Sequence, residues 1–173
     1  VTPDGKPKAH FESDRGIQTI QDGSFEQVLT TALAPWLEGG ATPKVIALGM
    51  ITSKNGWVEV PYVPCPATPA TLAAGTVRRT LPNGSDLIFL AGITDPKATP
   101  FPDVMRGEET QIVGFGLDAP AIVVLPGTHC KWAEIQTGRI ERFQTFVTGE
   151  IFALLSKHSF IAKVSGTPNA GID

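Results

Sequence analysis

The 173-residue sequence has little charge, few cysteines and no long apolar run. Charged residues make up 18% of it, below the usual quarter, so we expect part of the surface to be covered by other protein. The formal net charge of −3 provides no dense positive field, so nucleic acid is not expected as a partner. No apolar run approaches the roughly 18 residues of a membrane span, so we expect neither a membrane anchor nor export.

The two cysteines, Cys65 and Cys130, have a spacing that matches no metal site. So few cysteines fit a reducing compartment in which neither thiol is bridged, and we therefore expect a cytoplasmic protein. His129 lies beside Cys130, but neighbours in a strand point to opposite faces and cannot form a nucleophile–base pair. A thiol-dependent hydrolase is thus a rival interpretation that the spacing disfavours.

Glycine and proline are abundant, with 18 and 15 residues, and they separate the periodic segments in the first two thirds of the chain. The predicted elements there are a helix from Ser24 to about Trp36, helices over about 70–77 and 108–115, a short strand over 57–60, and strands over 45–48 and 86–91. The runs over 45–48 and 86–91 are continuously apolar, which predicts buried strands. The strand over 45–48 is predicted to be parallel to its neighbour. The prolines of residues 61–69 predict an extended loop. This alternation indicates an α/β unit, in which loops at the carboxyl ends of strands bind ligands.

After residue 117 the pattern changes to an antiparallel meander. Its predicted strands cover 122–125, 131–136 and 139–146, with a tight turn at residues 137–138. A helix is predicted to begin at residue 148 and to end near Lys157 and His158, and residues 165–173 show no pattern. Three strands and one helix bury only one sheet face, so we expect residues 118–173 to be an incomplete second unit.

The turn after the first meander strand carries the groups of an anion-binding site. Gly127 lets the backbone approach an anion, while Thr128 and Lys131 add a hydroxyl and a positive charge. The spacing is not that of a P-loop. A purely structural turn is the more frequent alternative for such residues.

Three carboxylates and an arginine surround one glycine where a loop meets the next predicted helix. Asp103, Glu108 or Glu109 could take the proton of a substrate hydroxyl. Arg106 could bind the carboxylate of a sugar acid through two parallel hydrogen bonds. The alternative is that acidic residues in a first helical turn only stabilise the helix dipole.

The loop over residues 49–57, together with the nearby tyrosine, combines small polar groups with aromatic rings. Polar groups flanked by flat rings suit a polyol ligand. The candidate residues are Gly49, Met50, Ser53, Trp57 and Tyr62. Because the two aromatic side chains fit a hydrophobic core equally well, both interpretations stay open.

Four separated segments, in this order, resemble the 2-dehydro-3-deoxygalactonokinase family. They are GMITSKNGWVEVPYVPCPA (49–67), PDVMRGEETQIVG (102–114), LPGTHCKW (125–132) and GRIERFQTFVTGEIFALLSKHS (138–159). Members of that family look like two-domain sugar kinases of the actin/hexokinase/Hsp70-type ATPase superfamily. The resemblance therefore implies an α/β, ribonuclease H-like (actin-like ATPase) fold. It also implies transfer of the ATP γ-phosphate to the 6-hydroxyl of 2-dehydro-3-deoxy-D-galactonate, with Mg²⁺.

The resemblance also implies roles for the groups described above. The turn with Gly127, Thr128 and Lys131 would face the ATP phosphates, and the 49–62 loop and Arg106 would bind the sugar acid. One of the three carboxylates would be the base, and which one stays open. The family has serine where this chain has cysteine at position 130.

The resemblance implies a partial two-domain sugar kinase. Residues 1–117 would be most of the N-terminal sugar-binding domain, without its first strand and phosphate loop. Residues 118–173 would be the start of the C-terminal domain. The expected partners are the sugar acid and ATP, without nucleic acid or membrane, and a homodimer is compatible with the sequence. A sugar-acid-binding fragment without catalysis is the alternative.

Overall fold

A computed structural model describes residues 4–160, which contain four α-helices and nine β-strands. The helices are α1 (Phe25–Leu33), α2 (Pro69–Ala74), α3 (Glu108–Phe115) and α4 (Thr148–His158). The strands are β1 (Val45–Ala47), β2 (Val63–Pro64), β3 (Val77–Thr80), β4 (Asp86–Phe89), β5 (Ile93–Asp95), β6 (Asp103–Met105), β7 (Ala121–Leu125), β8 (Cys130–Gln136) and β9 (Arg139–Phe146). The patternless segment 165–173 lies outside the described residues.

The first sheet has the strand order β1-β4-β3, with β1 parallel and β3 antiparallel to β4. It confirms the strands predicted over 45–48 and 86–91 and the parallel direction of the first. Leu87 and Phe89 of the central strand are fully buried. Ile46 of β1, however, is 55% exposed, so the prediction of a buried strand is wrong there. The reason is that β1 lies at the sheet edge, with Ile46 on a face that no described residue covers.

The second sheet has the order β2-β5-β6, with β2 parallel and β6 antiparallel to β5. Ile93 and Met105 are paired in its register, and both are buried. The sequence does not predict this sheet. Strands of two or three residues are too short to show a period, and β2 lies among prolines that predict a loop.

The third sheet is the predicted antiparallel meander, in the order β7-β8-β9. Gly138, at the tight turn between β8 and β9, has φ +81°, the left-handed region that glycine adopts without strain. One face of this sheet is buried and includes Ala133, Ile140 and Phe143. The other face is partly exposed and combines apolar side chains such as Ile122 and Trp132 with the Glu134–Arg142 ion pair.

Two hydrophobic cores hold the described chain together. The first joins the second and third sheets to α3, through residues that include Ile93, Ile112 and Ile135. Leu117 also belongs to this core, so the two predicted units meet in a shared interior at their boundary. The second core packs α1 against the first sheet, around Phe89.

Several predicted elements differ from the structure. The strand predicted over 57–60 is wrong, because the backbone N–H groups of Trp57 and Val60 donate to Ile51 O and Thr52 O at 2.9 and 3.0 Å instead of to a strand. The helix predicted over about 70–77 ends at Ala74, since Gly75 closes it and the chain then enters β3. Helix α1 ends earlier than predicted, and a 3₁₀ turn containing Pro35 follows it.

Candidate functional site

A cavity of about 630 Å³ lies where three segments come together. They are β6, the turn between β7 and β8, and the loop over residues 49–62, here called the Gly49 loop. Residues from all three predicted groups line the cavity. The predicted site residues among its lining are Met50, Tyr62, Asp103, Arg106, Glu108, Gly127, Thr128 and Lys131. The fold thus joins groups that lie more than 80 positions apart in the sequence.

The other predicted site residues do not line this cavity. Trp57 packs in the second core, with its ring centroid 5.3 Å from that of Phe89. The hydroxyl of Ser53 donates to Met50 O at 2.7 Å, within its own turn. Glu109 is buried, with 1% of its surface exposed. Gly49 packs against Gly107, since its Cα would be 3.4 Å from a Cβ added to Gly107.

Arg106 follows β6 and joins the Gly49 loop to the cavity. Its Nη1 donates to Thr52 Oγ1 and its Nη2 to Val60 O, both at 2.8 Å. The guanidinium carbon lies 4.2 Å from the centroid of the Tyr62 ring, the geometry of a cation–π contact. These contacts fix the guanidinium plane, and Nη1 and Nη2 can each still donate to a ligand.

Gly92 makes the packing of Tyr62 and Arg106 possible. A Cβ at this position would lie 2.5 Å from Met105 O and 2.9 Å from Cε1 of Tyr62. A side chain there would push β6 away from the tyrosine. The sequence places Gly92 at the end of a strand but gives no sign of this close approach.

The two glutamates at the start of α3 have different surroundings. Glu108 is half-buried, lines the cavity and accepts a hydrogen bond from Arg106 N at 3.0 Å through Oε2. Glu109 accepts from Gly107 N at 2.7 Å and from Thr110 Oγ1 at 3.1 Å. Burial raises the pKa of the Glu109 carboxyl, although these hydrogen bonds oppose the shift.

Asp103 is held by three hydrogen bonds at the start of β6. Its Oδ1 accepts from Val104 N and from Thr145 Oγ1, each at 2.7 Å, and its Oδ2 accepts from Thr145 N at 2.6 Å. The carboxylate therefore ties β6 to β9 and has fewer lone pairs free for a substrate than Glu108 has.

The predicted phosphate turn lies against the start of α4. Glu150 N donates to Thr128 O at 3.1 Å, and His129 Nε2 lies 2.7 Å from Glu150 Oε2. Gly149 allows this approach, because a Cβ there would collide with Gly127 O and lie 2.9 Å from the Thr128 Cα. Helix α4 thus fixes the position of the turn.

Neither cysteine suits nucleophilic catalysis. Cys130 is buried, and its neighbour His129 is paired with Glu150. Burial, together with the Asp95 and Glu141 carboxylates, raises the pKa of the Cys65 thiol to about 12. The geometry gives no support to the thiol-hydrolase interpretation.

Residues 4–160 contain neither a cluster of metal ligands nor a membrane-spanning helix. No group of three or more histidine, cysteine, aspartate or glutamate residues there is arranged to hold a metal ion. No helix in the same range is long and apolar enough to cross a membrane.

Comparison with known proteins agrees with the sequence motifs. A family model described as 2-keto-3-deoxy-galactonokinase matches residues 1–172. The chain is 34% identical over 166 residues to a Rhizobium meliloti (strain 1021) protein assigned as 2-dehydro-3-deoxygalactonokinase DgoK1, covering 94% of the chain and 53% of that protein. It is 35% identical over 151 residues to the 2-dehydro-3-deoxygalactonokinase of Escherichia coli (strain K12), covering 87% of the chain and 49% of that protein. The chain therefore spans about half the length of these curated relatives.

A solved structure has the same fold over nearly all of the chain. It is the crystal structure of a Sinorhizobium meliloti protein assigned as a 2-dehydro-3-deoxygalactonokinase. The TM-score is 0.82 at 32% sequence identity, and the match covers 94% of this chain and 54% of that one.

Proposed function

Since the chain belongs to the 2-keto-3-deoxy-galactonokinase family, we propose that its cavity serves an ATP-dependent kinase that phosphorylates 2-dehydro-3-deoxy-D-galactonate on the 6-hydroxyl. The observation that carries this proposal is that a single cavity is lined by Arg106, by Glu108 with one hydrogen bond from Arg106 N, and by a glycine-containing turn with a lysine. Phosphoryl transfer depends mainly on positioning and charge neutralisation, and these groups supply both.

The sugar-acid side of the proposed site is built on Arg106 and Tyr62. Arg106 pairs with the substrate carboxylate through its remaining Nη donors, while Tyr62 and Met50 provide the apolar wall. Because Thr52 and Val60 O hold the guanidinium in place, little rotamer entropy is lost on binding.

Glu108 is the proposed base among the three carboxylates. It lines the cavity and accepts one hydrogen bond, whereas Asp103 accepts three and Glu109 is buried away from the cavity. In this role the Glu108 carboxylate accepts the proton of the substrate hydroxyl.

The residues of the β7–β8 turn fit the phosphates of ATP. Gly127 and Thr128 are exposed toward the cavity, and the buried Lys131 brings a positive charge to its wall. ATP, when bound, supplies the γ-phosphoryl group. Magnesium stays a prediction from the family, since residues 4–160 contain no group of three or more histidine, cysteine, aspartate or glutamate residues that could hold it.

We further propose that the fold is ribonuclease H-like and that residues 1–117 and 118–173 belong to different domains. The three-stranded meander followed by α4 supports this division because it is one continuous strand-and-helix segment, and its buried face shares a core with the second sheet and α3. A cytoplasmic location and a homodimer stay predictions.

Replacement of each carboxylate by its amide tests the assignment of the base. In the protein that contains this chain, Glu108→Gln should lower kcat by about 10²–10⁴-fold, the usual contribution of a general base. Glu109→Gln is the matched control, with the same change at the neighbouring position, and should alter kcat far less. Asp103→Asn should act chiefly through the position of β6. If Glu108→Gln keeps nearly normal turnover, Glu108 is not the base.

A further inference from the structure

Lys131 is a buried cation without a directly paired carboxylate in the described chain. It is 6% exposed, and its Nζ donates to Val104 O at 2.8 Å and to Thr145 Oγ1 at 2.6 Å. None of the ion pairs in residues 4–160 includes it. A buried charge is costly unless an opposite charge or a hydrogen-bond network compensates it.

Thr145 supplies that compensation from β9. Its hydroxyl lies 2.7 Å from Asp103 Oδ1, and its backbone N donates to Asp103 Oδ2 at 2.6 Å. A hydroxyl has one hydrogen and can accept through its lone pairs. Because the Asp103 carboxylate is an acceptor and the Lys131 ammonium a donor, the hydroxyl hydrogen goes to Asp103 and a lone pair goes to Lys131. The three groups form one chain of charge-assisted hydrogen bonds.

This chain of hydrogen bonds crosses between the two sides of the cavity. Asp103 and Val104 lie on β6, which continues into Arg106 and the start of α3. Lys131 lies on β8, directly after the predicted phosphate turn. Fixing the ammonium to β6 therefore fixes the distance between the sugar-acid side and the phosphate side.

We propose that Thr145 is a positioning residue that orients Lys131 toward the phosphates of ATP and couples this lysine to β6. Two of the three N–H donors of the ammonium are engaged with Val104 O and the threonine hydroxyl, which leaves one for a phosphate oxygen in the cavity that Lys131 lines. The assignment of the ligand as ATP rests on the proposed function. The hydrogen-bond chain itself does not.

Kinetics of the pair Thr145→Val and Thr145→Ser test the role in the protein that contains this chain. Valine keeps the β-branched shape and the backbone bond to Asp103 but lacks the hydroxyl, whereas serine keeps the hydroxyl. Thr145→Val should raise KM for ATP on the order of tenfold or more, the effect of losing a hydrogen bond to a charged group. KM for the sugar acid should change by less than about threefold, and Thr145→Ser should restore nearly normal values. Equal kinetics for the two variants would overturn the proposal.

A second measurement does not require kinase activity. Acylation of Lys131 by an N-hydroxysuccinimide ester, followed by peptide mass spectrometry on the 173-residue chain, reports the accessibility of its ammonium. The exposed Lys157 serves as the internal reference. Lys131 should react several-fold faster in Thr145→Val than in Thr145→Ser or the wild type. Unchanged reactivity would refute the hydrogen-bond chain even if the protein phosphorylates no sugar acid.

Thermal unfolding shows whether each variant is folded. If Thr145→Val does not fold, Asp103→Asn tests the same chain, since it keeps the side-chain shape but replaces one of the two oxygens that accept from Thr145 by an NH2 donor. It should raise KM for ATP and the acylation rate of Lys131 in the same direction. Normal values for both quantities in a folded Asp103→Asn protein would also overturn the proposal.

Discussion

At the scale of single residues, the candidate site depends on how differently two neighbouring glutamates are placed. Glu108 lines the cavity, while Glu109 is buried and accepts a hydrogen bond from Gly107 N at the start of α3. Identical side chains thus have different tasks because the first turn of a helix directs successive residues to different faces. Glu109 is expected to act on stability and Glu108 on catalysis.

The pH dependence of stability tests the environment of Glu109. Burial raises its pKa in the folded state above the ordinary value of 4.5, so the folded state binds the proton more tightly than the unfolded state. The free energy of unfolding should therefore fall as pH rises from about 4.5 through the raised pKa, and above it the loss should be constant. In Glu109→Gln this fall should be absent. Urea denaturation at several pH values measures it.

Glu38→Gln is the control for the loss of one negative charge, because Glu38 is exposed. As pH rises, the unfolding free energy of Glu109→Gln should increase relative to that of the wild type. A difference that does not change with pH would show that Glu109 is not desolvated.

Residue-level prediction from the sequence succeeded where a side chain has a distinctive chemistry. Arg106, Glu108 and Lys131 are predicted from charge and glycine context, and the structure places them around one cavity. Thr52 and Thr145 are not predicted, because threonine is an ordinary residue of turns and strands. Their role depends on contacts across 54 and 42 positions, which local patterns do not contain.

At the scale of elements, the contact between α4 and the β7–β8 turn determines the shape of the phosphate side. The turn has no regular structure of its own, and α4 supports it through Glu150 and Gly149. A change at Gly149, which does not itself line the cavity, should therefore shift the turn that does.

Gly149→Ala tests this support. Its added Cβ would collide with Gly127 O, so the helix or the turn must shift, and we expect a loss of about 1–3 kcal/mol of unfolding free energy and a raised KM for ATP. Gly114→Ala in α3 is the matched control, because a Cβ there has no atom within 4 Å. It should be neutral or stabilising by up to about 1 kcal/mol. Equal urea midpoints for the two variants would contradict the account.

Whether the sequence predicts a helix or strand depends mainly on the length of that element. Helices α1, α3 and α4 and the meander are long enough for their periods to be recognised, whereas α2 has six residues and is predicted to run past its observed end at Ala74. The strands β2, β5 and β6 have two or three residues each and depend on pairing with distant partners. At 57–60 the alternation is real, since Val58 and Val60 are buried, but this segment packs on a turn and no strand pairs with it.

At the scale of the whole molecule, the described chain leaves many large apolar side chains exposed. Ile122 and Trp132 on the outer face of the third sheet are 60% and 49% exposed, and Phe152 of α4 is 73% exposed. This surface agrees with the low charged fraction of the sequence. It also supports the proposal that residues 118–173 belong to a second domain.

Phosphorus NMR tests the claim that the cavity serves phosphoryl transfer to a sugar acid. The protein that contains this chain is incubated with ATP and 2-dehydro-3-deoxy-D-galactonate, and the products are observed. We predict ADP together with a phosphate ester on the 6-hydroxyl of the sugar acid. Binding of the sugar acid without any phosphate ester, or release of inorganic phosphate alone, would contradict the claim.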